Sequence, residues 1–120
     1  MANEKYAQLI KKLVQATSAG TIQWEPTATE EVYQAAFPSY GVRIWRDRQN
    51  EGEDIVLSII NSDGYSIDEV RDSSFAGREL GPQQPYRVML DLFQAARRRA
   101  LGAEQAIDSI LKDIDDLPPF

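Results

Sequence analysis

Residues 55–70 have the sequence IVLSIINSDGYSIDEV, which predicts two antiparallel strands joined by a tight turn. Its first six residues are almost all apolar and mostly β-branched, which predicts a central strand that is covered on both faces for part of its length. Asn61, Ser62, Asp63 and Gly64 follow at once, and the Asp-Gly pair supplies the positive φ angles of a tight hairpin turn. Tyr65 to Val70 is therefore expected to return as an antiparallel strand beside the first.

A second strand is predicted immediately before this hairpin, at residues 40–48. There Val42 and Ile44 alternate with Arg43 and Trp45, which is the pattern of an antiparallel strand with one buried face. The run of polar residues between the two strands indicates a solvated loop or hairpin tip.

Residues 30–37 fit two structures. Thr29 before two glutamates is typical of a helix start, whereas Tyr33, Ala35 and Phe37 alternate as a strand would. We favour a strand, because the two segments that follow are strands and need a neighbour.

Three segments at the ends of the chain have apolar residues at helical spacing. They are Tyr6, Leu9, Ile10, Leu13 and Val14 in the first, Met89, Leu92, Phe93, Ala96 and Ala100 in the second, and Ile107, Ile110, Leu111 and Ile114 in the third. Residues 71–85, rich in Ser, Gly, Gln and Pro, form the least ordered internal stretch by composition, and loops of that length are often functional.

The predicted fold class is α+β, as a single domain over residues 1–120. It has an N-terminal helix, an antiparallel meander of three to four strands, and two C-terminal helices packed on one face of the sheet. A chain of 120 residues is long enough to build one core by itself.

Composition excludes several kinds of chemistry. The chain has no histidine and no cysteine, which removes histidine-dependent triads, imidazole or thiolate metal sites and disulfides. A formal charge of −6 opposes broad binding to nucleic acids and anionic membranes. With no apolar run of membrane-spanning length and charges near the N-terminus, the protein is expected in the cytoplasm.

No catalytic or cofactor motif is present. The sequence contains no glycine-rich phosphate loop and no nucleophile elbow, and its acidic loops lack the alternating ligand spacing of a calcium site. Its adjacent carboxylates, such as Asp68 and Glu69, tend to point apart and do not form an acid and base pair. We therefore predict a protein that is not an enzyme, with no cofactor and no metal.

Two surfaces are candidates for binding a partner protein. Trp45 with Arg43 and Arg46 has the composition of an interface hot spot, and the alternative is an edge aromatic covered by a terminal helix. The last helix is acidic, with Asp108 and Asp113 as candidate contacts for a basic partner, although a charged face is usually only solvated.

The run from Arg97 to Arg99 suggests an anion or ligand site. Three consecutive residues spread over about 200° of a helix, so a solvated helix end is the alternative interpretation. A pocket between sheet and helices would use Arg97 or Arg99 with Tyr65 or Tyr86 as polar anchors.

The functional expectation is a non-catalytic protein–protein interaction domain, of the kind found in immunity or antitoxin-like inhibitors or in adaptor subunits of bacterial systems. The alternative is a small-ligand-binding domain that uses the pocket just described. Binding to another protein is expected, and homodimerisation would use an open strand edge or the outer face of residues 55–60.

Overall fold

The computed structural model describes residues 2–48 and 52–118, and these form three α-helices, one short 3-10 helix and one five-stranded sheet. The tip of the predicted hairpin at residues 49–51 lies outside the described residues. The helices are α1 (Ala2–Ala19), α2 (Pro85–Ala100) and α3 (Ala103–Asp115), and the strands are β1 (Glu25–Pro26), β2 (Tyr33–Ala36), β3 (Gly41–Asp47), β4 (Asp54–Ile60) and β5 (Ser66–Arg71).

The sheet confirms the predicted α+β class. Its strands follow chain order, β1-β2-β3-β4-β5, and every neighbouring pair is antiparallel. The strand count is five rather than three to four, because the two residues of β1 pair with β2 where the sequence suggested only a connection. The ambiguous segment at residues 30–37 contains strand β2, and Glu31 before it lies in a turn with φ of 60°.

The Asp-Gly turn joins β4 to β5 as predicted. Gly64 has φ of 88°, and its amide donates to the carbonyl of Asn61 at 3.0 Å. The Asn61 side chain accepts hydrogen bonds from the amides of Asp63 and Tyr65, both at 3.0 Å. The Asn61 amide donates to the Tyr65 carbonyl at 2.9 Å, so three residues lie between this hydrogen-bonded pair, with glycine in the left-handed conformation, which is one of the common hairpin forms.

One face of the sheet builds the core with α1 and α2. Cross-strand partners share a face, so Tyr33, Ile44, Leu57 and Val70 form one row across β2 to β5. All four are buried, together with Ile10 and Leu13 of α1 and Met89, Leu92, Phe93 and Ala96 of α2. Val56 and Ile60 are also buried but lie outside this cluster, on the opposite face.

The segment at residues 71–85 is anchored to the core. A short 3-10 helix at Asp72–Ser74 opens it, and Asp72, Phe75 and Leu80 are buried. The Asp72 carboxylate accepts a hydrogen bond from the Ile55 amide at 2.6 Å, and burial raises the pKa of this carboxyl. The apolar residues in a Gly- and Pro-rich segment thus act as anchors that composition alone does not reveal.

The packing of α3 differs from the prediction. Helix α2 has buried residues, whereas α3 has none. The predicted packing of α3 on the sheet is therefore corrected.

The molecule is 62 Å long and 34 by 31 Å across, with a radius of gyration of 16.7 Å. A compact domain of this length would have a radius of gyration of about 14 Å.

None of the helices in residues 2–48 and 52–118 combines the length and apolar character needed to cross a bilayer.

Candidate functional site

Helix α3 presents an apolar ridge that nothing in the described chain covers. The ridge consists of Ile107, Ile110, Leu111 and Ile114, whose exposed fractions are 45%, 57%, 56% and 56%. Their spacing of i, i+3, i+4 and i+7 places them on one side of the helix, where the equivalent residues of α2 are buried. An exposed apolar stripe of this kind is a candidate binding surface.

The direction of α3 is set by the joint that separates it from α2. Gly102 adopts a left-handed conformation with φ of 68°, which interrupts the helix between Ala100 and Ala103. The Arg98 guanidinium then donates to Glu104 at 2.8 Å, an exposed ion pair between the end of one helix and the start of the next.

The ridge of α3 is bordered by carboxylates on both sides. Residues 103–118 contain five acidic side chains and one lysine. Asp108 and Asp113, which the sequence proposed as contacts, project about 100° to either side of the ridge. The structure thus brings the two predicted residues to the border of an apolar surface that the sequence had assigned to the core.

Trp45 lies on the sheet face opposite the helices. Its partner on β4 is Val56, and the next residue in that row is Arg71 of β5, while Arg43 is its neighbour on the same strand. Arg43 donates to the Gln34 side chain at 3.0 Å, and Arg71 donates to Asp47 at 2.7 Å, a bond that raises the pKa of its guanidinium. Trp45 is half-buried among these neighbours rather than under a helix.

Arg46 lies on the other face of the sheet from Trp45 and so does not flank it. Its guanidinium is stacked 4.9 Å above the centre of the Phe93 ring, on the helix-covered face of the sheet, and its Nη1 lies 4.0 Å from Glu53. Its Nε is buried and makes no hydrogen bond within the described residues. Alternation separates neighbouring residues of a strand, so the sequence pattern could have predicted this separation.

Glu53, directly before β4, accepts hydrogen bonds from two side chains. It accepts hydrogen bonds from the Tyr86 hydroxyl at 2.5 Å and from Arg48 at 2.9 Å. The Tyr86 hydrogen bond is the main reason why the pKa of Glu53 is lowered, and the same bond raises the pKa of Tyr86. Tyr86 is therefore engaged in tying the start of α2 to the start of β4.

The four residues proposed as ligand anchors do not converge. Arg97 faces Glu31 at 3.7 Å, and Arg99 donates to the Ser18 carbonyl at 3.4 Å, both at the C-terminal end of α2. Tyr86 lies eleven residues before Arg97, about 16 Å along the same helix. Tyr65 is 70% exposed in the turn between β4 and β5.

A groove runs along the outer side of α1, where it meets the edge of the sheet. Its volume is about 470 Å³, and it is lined by Lys5, Tyr6, Leu9, Ile59, Ile67 and Asp68. Ile67 on edge strand β5 is 55% exposed. The Tyr6 hydroxyl donates to Asp68 at 2.7 Å, and the pKa of Tyr6 is raised, first by burial and then by this bond.

Comparison of this chain with family models, with curated proteins and with solved structures finds no match.

Sequence reasoning found the residues of the ridge but not their exposure. Periodicity identifies which side of a helix is apolar, and it does not identify what covers that side. Gly102 was the available signal, because a glycine between two helical segments permits a change of direction. The position of Arg71 in the same row as Trp45 depends on the register shift between Ile59 and Ile60, which the Asp-Gly turn alone does not predict.

Proposed function

We propose that this chain is a non-catalytic protein–protein interaction domain whose binding element is helix α3. One observation carries the proposal: four large apolar side chains lie on one side of α3, each 45% exposed or more, while no residue of that helix is buried. A helix that lays such a ridge into an apolar groove is a recurrent mode of protein recognition.

The energetics favour a protein as the occupant. Covering a large aliphatic side chain contributes about 1.5–3 kcal/mol relative to full exposure, and each of these four is still about half exposed. An isolated helix of 13 residues is marginally stable in water, so a bound partner would also hold α3 in its helical form. The binding energy would therefore come from several neighbouring anchors rather than from one contact.

The charged groups of the chain support a binding role over a catalytic one. Glu53 and Tyr86 are engaged with each other, and Arg71 binds Asp47 and Asp54. These contacts serve the sheet and the start of α2. An inhibitor of the immunity or antitoxin kind, or an adaptor subunit, would use α3 as its contact with the protein it binds.

The test is quantitative capture from the native lysate, with tagged protein as bait and mass spectrometry as the readout. The bait is wild type, the ridge variant Ile110→Gln with Ile114→Gln, or the control Tyr65→Gln. Glutamine is a good helix former, so the ridge variant removes apolar surface without weakening the helix. Tyr65 is 70% exposed in the turn between β4 and β5, so its replacement removes exposed apolar surface away from α3.

We expect wild type and the Tyr65 control to retain a protein that the ridge variant loses. That protein is either an untagged copy of this chain or a different protein, and purified components then confirm direct binding. If all three baits retain the same proteins in the same amounts, α3 is not the binding element.

A further inference from the structure

The ridge of α3 and the groove beside α1 are two uncovered apolar surfaces of the same chain. The groove holds Leu9, Ile59 and Ile67, and the ridge presents aliphatic side chains of matching character. We propose that the ridge of α3 is seated in the α1 groove of a second copy of this chain, and that the second copy returns the same contact. This inference rests on the proposed function and names the occupant of α3.

The charged side chains at helical spacing from Leu9 on α1 and from Leu111 on α3 are of opposite sign, while Asp68, which also lines the groove, accepts a hydrogen bond from Tyr6. On α1, Lys5 and Lys12 lie on the same side of the helix as Leu9, at spacings of four and three residues. On α3, Asp108 and Asp115 lie on the same side as Leu111, at spacings of three and four residues. Within the described part of the chain, none of these four charged groups has an ion-pair partner.

The spacings also match in one direction. Seven residues separate the two lysines and seven separate the two aspartates, about 10.5 Å of helix in each case. When α3 runs antiparallel to α1, Lys5 faces Asp115 and Lys12 faces Asp108. Leu9 then faces Leu111, so the apolar pair lies between the two ion pairs.

Other arrangements of two copies lack this match. Pairing one α3 with another brings together two helices that each carry five carboxylates and one lysine in residues 103–118, which is repulsive. Two reciprocal contacts related by a two-fold axis satisfy both ridges and both grooves and leave neither for a third copy. The expected assembly is therefore a closed dimer.

Charge reversal with mixing tests the arrangement. Sedimentation velocity in low-salt buffer compares wild type with two variants, Lys5→Glu with Lys12→Glu, and Asp108→Lys with Asp115→Lys. Each variant alone places like charges at both contacts, so we expect its dimer to weaken about ten-fold or more. In an equimolar mixture one contact is of the wild-type kind and the other is its reversed copy, so the dimer is restored.

An engineered disulfide locates the contact independently, because the chain has no cysteine of its own. Leu9→Cys mixed with Leu111→Cys is expected to give a cross-linked dimer on mild oxidation. Gln94→Cys, exposed on α2, replaces the first partner in the control mixture and is expected to give little product.

Two results would overturn the inference. One is a wild-type protein that stays monomeric at the highest concentration it tolerates. The other is a dimer that is insensitive to both charge reversals, which would place the contact on another surface. Neither result overturns the proposed function. A monomer that captures a different protein through the ridge would support the proposed function, whereas loss of ridge-dependent capture would overturn it.

Discussion

Helices α2 and α3 are adjacent in the chain and both have an apolar side, yet they have opposite fates. The side of α2 with Met89, Leu92 and Phe93 is buried against the sheet, whereas the side of α3 with Ile107 and Ile110 faces water. Amphipathic spacing therefore predicts that one side of a helix will be buried, but it does not show whether that side is buried by its own chain or by another protein. In α2 the cover contributes to folding, and in α3 we propose that it contributes to binding.

The largest expected difference between the two helices is in the cost of truncating an apolar residue. Phe93 is fully buried, packs against Tyr33 with 5.7 Å between ring centres and lies under the Arg46 guanidinium. We expect Phe93→Ala to lower the free energy of unfolding by about 3–5 kcal/mol. Ile110→Ala, measured at a concentration where the protein is monomeric, should change it by no more than about 0.5 kcal/mol.

Urea unfolding followed by far-ultraviolet circular dichroism measures both values. A loss of about 2 kcal/mol or more for Ile110→Ala in the monomer would mean that the chain covers its own ridge.

A smaller difference is expected between the polar contacts of the buried layer and those of α3. The Trp24 indole donates to the Thr17 hydroxyl at 3.0 Å, and both residues are buried. Thr17→Val leaves that N–H without a partner and should cost about 1–3 kcal/mol. Glu104→Gln removes only the negative charge of the exposed pair with Arg98 and should cost less than about 0.5 kcal/mol. Equal losses in chemical unfolding would show that α3 is tied to the domain as firmly as α1.

The smallest expected effect concerns the hydrogen bond between Tyr86 and Glu53, which links the start of α2 to the sheet. Tyr86→Phe removes the hydrogen bond to Glu53 and should lower stability by about 1 kcal/mol at pH 7. The pKa of Glu53 is lowered from its ordinary value of 4.5. The stabilisation that the ionised Glu53 contributes to the folded state is therefore present in full above pH 4.5, and it is lost as the pH falls through the lowered pKa. The deficit of Tyr86→Phe should therefore shrink in acid, and unfolding curves from pH 7 to pH 3 measure it. A deficit that is independent of pH would assign the loss to packing.

The sequence predicted the elements of the fold better than their surroundings. The alternation around Val42 and Ile44 and the Asp-Gly turn after β4 are local signals, and both were confirmed in strand pairing. Strand β1 has only two residues, and its pairing with β2 depends on a partner distant in sequence. Local pattern contains no information about such a partner.

The candidate site was predicted only in part, for the same reason. Asp108 and Asp113 were identified from charge, and they do border the ridge. The ridge itself was assigned to the core, because burial depends on the direction in which Gly102 sends α3. Arg46 was grouped with Trp45 by sequence proximity, although its stacking on Phe93 requires the opposite face of the sheet.

Residue-resolved amide hydrogen exchange tests most directly whether the ridge of α3 is left for another protein to cover. It would be measured on wild type at a concentration where the protein is monomeric. We predict that the amides of α3 exchange much faster than those of α2 between Met89 and Ala96, because a 13-residue helix without tertiary cover opens readily. Protection of α3 equal to that of α2 in the monomer would contradict the account, since its own chain would then be holding the helix in place.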